Sequence, residues 1–347
     1  MDVNGTKRWE PHRSLDLNPR STLVNKNLLQ EPCGGVGNKL LTKMRAVVID
    51  MGSGTCKMGF AGQTRPSYIV TNAVGRKPRK QTTLGPASNR EKLAEVAFES
   101  LHSPALYVAS QSVLSVYANG RVNGLVVDTG HGISYTVPVF QGYNLPSGIQ
   151  RLNLAGHYLT TFLAEKILRS SLPLKWDDLD TMESLKHQYC YVASDFQKEQ
   201  SRPHDKFRRR LKLPDGQTVT VGKELFQCPE LLFHPPETSG PSSSGLPSMV
   251  ERSLCTVPQE LRADMEQNVL LCGGSSLFSG FQGRFKTELL QRLSPWANVV
   301  VGAHPNRNLS VWIGGSILAS LCAFQSRWIR REQYEEHGPD IVHQRCS

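Results

Sequence analysis

The most informative pattern in this chain is an apolar run that leads into a glycine-rich turn and out through a second β-prone run. It occupies Ala46–Gly62, AVVIDMGSGTCKMGFAG, in which the first run reaches Asp50. The pattern predicts a strand, a tight turn and a returning strand. Gly52 and Gly54 permit the backbone conformations that such a turn needs, and its N–H groups can converge on an anion. Taken alone this is weak evidence for nucleotide binding, because similar turns occur in many hairpins.

The same layout recurs further along the chain. Leu125–Gly142, LVVDTGHGISYTVPVFQG, has an apolar run ending in Asp128, a Gly-His-Gly turn and a β-rich run. Val269–Gly280, VLLCGGSSLFSG, has an apolar strand, a Gly-Gly turn and the start of a predicted helix. This repetition predicts a duplicated unit. If the first two turns face each other across a cleft, they would clamp a polyphosphate, with both aspartates near one divalent ion.

Periodicity elsewhere predicts a mixed α/β chain. Apolar spacing predicts helices over Leu159–Arg169, much of Thr181–Glu199, Pro258–Gln267 and Ile313–Trp328. Residues 1–43 show neither helix nor strand periodicity and are predicted to be disordered.

Length and net charge exclude few classes of protein. A chain of 347 residues is long enough for two domains, and no apolar run approaches the length of a membrane span. The net charge of +10 allows contact with acidic proteins, anionic membranes or nucleic acid. A basic surface without a partner accounts for the charge equally well.

The three turns, in this order, resemble the two phosphate loops and the adenosine loop of actin. The resemblance extends from about Met44 to Cys346, and the chain is identified as a member of the actin family, similar to its divergent germ-line members. Segments that carry it include NREKLAEVAFES, RLNLAGHYLTTFL, KHQYCYVASDFQKE, SVWIGGSILASLCAFQSRW and IVHQRC. The resemblance implies an α/β fold, the duplicated actin-like (ribonuclease H-like) fold, with two lobes around a nucleotide cleft. The implied divisions are an extension at 1–43, a first lobe at 44–124, a second lobe at 125–328 and a segment at 329–347 that returns to the first lobe.

The first lobe departs from the family between Gly75 and Asn89. Roughly sixty residues that actins carry there are missing: a small subdomain with the filament docking loop, a crossover helix and a central strand. A crossover between parallel strands needs about a dozen residues or more, and Lys77–Ser88 has two prolines and no helical pattern. Without the central strand, the strand at Ala46–Asp50 must pair with Leu106–Ala109 or keep one edge unpaired.

The resemblance also implies a site for ATP and Mg²⁺. Asp50 and Asp128 would hold the cation through water, and Gln111 would orient the attacking water. The positions that match the two phosphate loops, the adenine and ribose contact and the adenosine loop are Asp50, Gly52, Ser53, Gly54, Lys57, Asp128, Thr129, Gly130, Lys186, Gly273, Gly274, Ser275 and Phe278.

Several substitutions weaken this site. His131 stands where the second loop normally carries an acidic residue, and an imidazole does not replace a carboxylate beside hydrated magnesium. His187 replaces a glutamate that holds the ribose, Asn308 replaces a lysine near the adenine, and Met51 replaces a polar residue. ATP binding is therefore left open and turnover is disfavoured.

The function implied by the resemblance is that of a non-enzymatic, non-polymerising cytoskeletal scaffold, associated with the perinuclear theca and acrosomal region of the sperm head. We expect actin-like or other cytoskeletal partners, a cytoplasmic location, no DNA and no membrane-spanning segment. The alternatives are a slowly hydrolysing, ATP-binding actin relative and a non-functional shortened product. A sugar kinase or chaperone ATPase on the same fold ranks last, because no acidic sugar base and no peptide-binding domain are recognised.

Overall fold

The computed structural model describes residues 45–72, 87–170, 179–212, 218–236 and 244–346. The predicted extension at 1–43 lies outside these residues, as does most of the segment that joins the first three strands to the next helix.

The described residues form a mixed α/β structure, as predicted. The strands are β1 (Val47–Met51), β2 (Thr55–Phe60), β3 (Tyr68–Thr71), β4 (Ala105–Leu106), β5 (Gly124–Thr129), β6 (Ser134–Phe140), β7 (Tyr143–Asn144), β8 (Gln150–Leu152), β9 (Arg209–Lys212), β10 (Thr218–Val221), β11 (Val269–Cys272), β12 (Val301–Gly302) and β13 (Ile329–Arg330). The helices are α1 (Ala87–Glu95), α2 (Gln111–Ala118), α3 (Gly156–Ser170), α4 (Leu179–Tyr189), α5 (Phe196–Ser201), α6 (Glu224–Glu230), α7 (Leu246–Thr256), α8 (Gln259–Glu266), α9 (Phe281–Arg292), α10 (Ser310–Ser320), α11 (Arg331–His337) and α12 (Ile341–Arg345).

The largest sheet has the order β12-β11-β5-β6-β7, and β8 also pairs with β6. Strands β12, β11 and β5 are parallel, whereas β6 is antiparallel to β5. Every residue of β5 is buried, which explains its unbroken apolar run, since a strand covered on both faces has no solvent side. The second glycine turn joins β5 to β6, and the third follows β11, so both lie at the same edge of this sheet.

The first glycine turn belongs to a separate, three-stranded antiparallel sheet of order β1-β2-β3. One face of β1 is uncovered: Val47, Ile49 and Met51 are 57%, 49% and 50% exposed. Phe60 of β2 and Val70 of β3 belong to the same outer face, because Phe60 pairs with Val47 and Val70 with Cys56. We call this surface the outer face of β1–β3. Strands β1 and β5 have nearly the same sequence pattern, yet only β5 is covered on both sides.

The sequence left two outcomes for the edge of β1, which were pairing with Leu106–Ala109 or no strand partner. Leu106 of β4 pairs with Ile329 of β13, and not with β1. Among the described residues, β1 therefore keeps one edge without a strand partner. This is the outcome expected when the central strand of the first lobe is missing.

Helix α10 supports the inner face of β1. The indole Nε1 of Trp312, which is fully buried, donates a hydrogen bond of 3.1 Å to the carbonyl oxygen of Val48. Gly314 and Gly315 of the same helix allow close packing, since a Cβ on Gly315 would lie 2.8 Å from Val48 Cγ1. The first hairpin is thus attached to the rest of the molecule through one face.

Candidate nucleotide site

The first two glycine turns meet. A Cβ placed on Gly54 would lie 2.6 Å from Cγ of His131, so the imidazole of the second turn rests on the backbone of the first. In the other direction, a Cβ on Gly132 would lie 2.9 Å from Oγ of Ser53. A Cβ at either position would force the facing side chain to move, so glycine leaves room for this approach. The facing arrangement predicted from the sequence repeat is therefore present.

Both aspartates are buried at this junction. Asp50 is 7% exposed and accepts a hydrogen bond of 2.9 Å from Nζ of Lys57 on the returning strand. Asp128 is 8% exposed, and burial raises the pKa of its carboxyl group to about 7, with a further contribution from the negative charge of Asp50 and an opposing one from Lys57. The electrostatic coupling between the two carboxylates means that they share one site.

The third turn packs on the second. Gly273 has a positive φ of 84°, and a Cβ there would lie 2.3 Å from the carbonyl oxygen of Thr129, so glycine is required. Oγ of Ser275 donates to the carbonyl oxygen of Gly130 at 2.9 Å. Gly274, by contrast, faces open space, and Phe278 is buried in the core. The first two contacts hold the predicted adenosine loop against the second phosphate loop.

Lys186 is held from within the protein. Its ammonium group is 1% exposed and donates to the carbonyl oxygen of Gly156 at 2.9 Å and to Oγ1 of Thr160 at 2.7 Å. Burial lowers the pKa of this ammonium group. The predicted contact of Lys186 with adenine or ribose stays a prediction, but these two acceptors give the residue a structural role in any case.

Sequence reasoning missed Glu183, which joins two of the substituted positions. Its Oε1 lies 3.6 Å from Nδ1 of His131 and 3.4 Å from Nε2 of His187. Contacts with these two histidines lower the pKa of the Glu183 carboxyl group below its ordinary value. His157 is close as well, with its ring centroid 5.4 Å from that of His131. The i, i+4 spacing of Glu183 and His187 on α4 was the signal that could have identified the pair.

The remaining predicted residues are found on several elements. Gly52 is part of the first turn, where its carbonyl oxygen accepts a hydrogen bond of 2.5 Å from Nδ2 of Asn72. Thr129 is buried and accepts a hydrogen bond of 2.9 Å from Oγ of Ser134. Gln111 begins α2, and its side chain makes no hydrogen bond with the part of the chain that the structure describes. Asn308 lies in the 3₁₀ turn before α10.

The donor set fits a divalent cation in part. Asp50 pairs with Lys57, whereas no lysine or arginine of the described residues forms an ion pair with Asp128. Two buried carboxylates suit a hard cation, because Mg²⁺ prefers oxygen ligands and retained water. His131 adds no oxygen ligand at the second turn. The residues therefore fit a cation bound through the two aspartates, without the third carboxylate that the second turn normally provides.

Comparison with known proteins agrees with this architecture. The family described as Actin matches residues 41–85 and 80–347, which together include nearly the whole chain. The chain belongs to the actin family. It is 69% identical to actin-like protein 9 of Rattus norvegicus and 53% identical to actin-like protein 9 of Homo sapiens, with full coverage of both chains in each case. It is 34% identical to human actin-like protein 7B, over 88% of this chain and 89% of that protein. Among actins the chain is thus similar to the divergent actin-like proteins.

The comparisons also agree with the predicted internal loss. The alignment with the rat relative is 411 positions long, so at least 64 positions have no residue from this chain of 347. The match to the actin family consists of two segments, 41–85 and 80–347, which overlap in the short segment that joins β3 to α1. Which elements are lost, and the lobe boundaries at 44–124, 125–328 and 329–347, stay predictions.

No helix within the described residues has both the length and the apolar character required to cross a bilayer. Because the chain belongs to the actin family, its partners are expected among cytoskeletal proteins in general.

Proposed function

We propose that this chain is a divergent actin-like scaffold component of the cytoskeleton that does not form filaments and hydrolyses ATP slowly or not at all. The observation that carries the proposal is the position of His131. Its imidazole lies against Gly54 and within 3.6 Å of Glu183, in the turn where the family resemblance implies an acidic residue.

Hydrolysis of ATP in this fold needs a positioned water and a cation that stabilises the developing charge on the phosphates. Mg²⁺, when bound, would supply that charge stabilisation. Asp50 is already paired with Lys57, and Asp128 is about half protonated near neutral pH because its pKa is raised to about 7. Gln111 has no hydrogen bond with the described residues that would fix its amide. These features support slow turnover.

Two further features support the absence of filaments. The segment missing between β3 and α1 corresponds, by resemblance, to the subdomain that carries the docking loop. The outer face of β1–β3 is apolar and exposed, and no strand within the described residues pairs with the free edge of β1. In the family, the segment missing between β3 and α1 would cover this face and carry the docking loop. Without it, we expect this lobe to lack a contact surface that filaments use.

The test is sedimentation and phosphate release with Mg·ATP in polymerising salt, with conventional actin as the positive control. We expect the chain to stay in the supernatant and to release phosphate more slowly than conventional actin. Filaments visible by electron microscopy, or a rate equal to that of actin, would contradict the proposal.

A second candidate is an ATP-binding relative that acts as a nucleotide-dependent scaffold. The raised pKa of Asp128 favours it, because a bound cation would relieve that buried charge. A ligand present at 100 times its dissociation constant stabilises a protein by about 2.7 kcal/mol, which a thermal shift assay detects. We expect Mg·ATP to raise the melting temperature of the wild-type chain but not of Asp128→Asn. Equal shifts in both would show that the nucleotide binds elsewhere.

The resemblance to germ-line actin-like proteins suggests a place in the sperm head, at the perinuclear theca and the acrosome attachment region, with other actin-like proteins as partners. Immunolocalisation in sperm with an antibody to this chain tests that assignment. The competing possibility is a shortened product without function. Limited proteolysis separates the two, because complete loss of residues 45–120 under mild conditions, with and without Mg·ATP, would show that the first lobe does not fold.

A further inference from the structure

A cluster of metal-ligating side chains lies outside the nucleotide site, where the end of the chain packs on α1. Glu91, Asp340 and His343 each offer one ligand atom, and the three atoms lie within 4.8 Å of one another. Nε2 of His343 and Oε1 of Glu91 are 2.8 Å apart. We propose that these residues bind a divalent transition metal of the zinc class, which fastens the C-terminal helix to the first lobe.

The ligand types suit such a metal. Zn²⁺ accepts histidine nitrogen and carboxylate oxygen at about 2.0–2.2 Å, usually with tetrahedral geometry. At tetrahedral angles, ligand atoms at those bond lengths are separated by roughly 3.4 Å. The observed separations, 2.8 Å at the closest pair and at most 4.8 Å, differ from this value by amounts that side-chain rotation can supply. Asp340 and His343 are exposed, so their side chains are free to adjust.

The charge balance points the same way. The chain carries a net charge of +10, yet among the described residues neither Glu91 nor Asp340 forms an ion pair with a lysine or arginine. Glu91 contacts the imidazole of His343 through a hydrogen bond of 2.8 Å. A divalent metal held between the two carboxylates would supply the positive charge that no lysine or arginine of the described residues supplies there.

The backbone beneath the cluster is packed on both sides, so only the ligand side chains have to rotate to reach a metal. Ile341 and Val342 of α12 are buried in one apolar cluster with Ala94 of α1 and Phe98 of the turn that follows it. Nη1 of Arg90 donates to the carbonyl oxygen of Cys346 at 2.8 Å. A metal bound here would join two elements that are more than 240 residues apart in sequence but already in contact.

The test is metal binding by the full chain after treatment with a chelator, at pH 7.5. In excess Mg²⁺, which would occupy the site at Asp50 and Asp128, titration with Co²⁺ should give saturable visible absorption from one bound ion, which Zn²⁺ displaces. Mg²⁺ should not displace it, because a histidine nitrogen is a poor ligand for that ion. His343→Ala and Asp340→Ser should each weaken Zn²⁺ binding by at least about tenfold, a change of 1.4 kcal/mol in binding free energy.

His337→Ala is the matched control. His337 is an exposed histidine on α11 that pairs with Glu336 outside the cluster, so its removal should leave binding unchanged. Hydrogen exchange gives a second readout that does not depend on the variants. Zn²⁺ should slow exchange in peptides covering 87–95 and 341–346 of the wild-type chain. Absence of saturable Co²⁺ binding, or equal affinity in wild type and both ligand variants, would overturn the proposal.

Discussion

Replacement of Asp128 by asparagine should stabilise this protein near neutral pH, which is the opposite of what most buried substitutions do. The carboxyl group is buried, and its pKa is raised from 3.8 to about 7. The folded state therefore holds a proton on Asp128 at pH values where the unfolded chain has lost it. Under this condition the free energy of unfolding falls as pH rises, with a slope of about 1.4 kcal/mol per pH unit for one proton.

The pH window and the magnitude follow from the two pKa values. Below about pH 4 the group is protonated in both states and contributes nothing. Between that value and about pH 7 the penalty grows, and above pH 7 it is constant. A shift of about three units corresponds to about 4 kcal/mol, taken as an upper limit. Asparagine has nearly the same shape as protonated aspartate and cannot ionise, so the variant avoids the penalty.

The assay is chemical denaturation of wild type and Asp128→Asn from pH 4.5 to 8, in chelator and without nucleotide. Comparing the two proteins at each pH cancels the titration of other groups. We expect the variant to gain stability steadily up to about pH 7 and then to keep a constant advantage. Asp205→Asn is the control, because Asp205 is exposed and lies in a short 3₁₀ turn away from the site. A difference between wild type and Asp128→Asn that does not change with pH would refute the reasoning.

Three further predictions concern stability and solubility. Lys186→Met should destabilise the fold by roughly 1–2 kcal/mol, since Oγ1 of Thr160 loses its donor, whereas the carbonyl oxygen of Gly156 keeps the hydrogen bond from Thr160; denaturant titration measures this, and an unchanged midpoint would contradict it. Arg284→Ala should cost about 3 kcal/mol in the same assay, because Arg284 is 7% exposed and bridges Glu230 and Glu288, which would keep only His234 and Arg292 as partners; an unchanged midpoint would be inconsistent with this. Ile49→Thr should raise soluble yield and reduce binding of a hydrophobic dye, because it makes the outer face of β1–β3 less apolar; unchanged dye binding would mean that this face is covered in solution.

The sequence predicted the hairpins and their repetition because these depend on local signals. The apolar run and glycine turn around Asp50 and around Asp128 both became strand, turn and strand. The short linker before α1 left two predicted outcomes for the edge of β1, pairing with Leu106–Ala109 or no strand partner, and among the described residues the second is found. The burial of Lys186 and the pairing of Glu183 with His131 were not predictable. Both depend on which turn meets which helix, and no short-range pattern in the sequence carries that information.

The two copies of the repeated unit now differ in what surrounds them, and this difference links the fold to the function. Around Asp128, β5 is covered on both faces and the third turn is held by Ser275. Around Asp50, the hairpin is attached through Trp312, through hydrogen bonds with Ser316 and through its contacts with the second turn, while its outer face is exposed. The half of the site around Asp50 is thus covered on one face only. A cation shared by Asp50 and Asp128 would stabilise that half more than the other, so ligand binding should slow hydrogen exchange in β1 and β2 more than in β5.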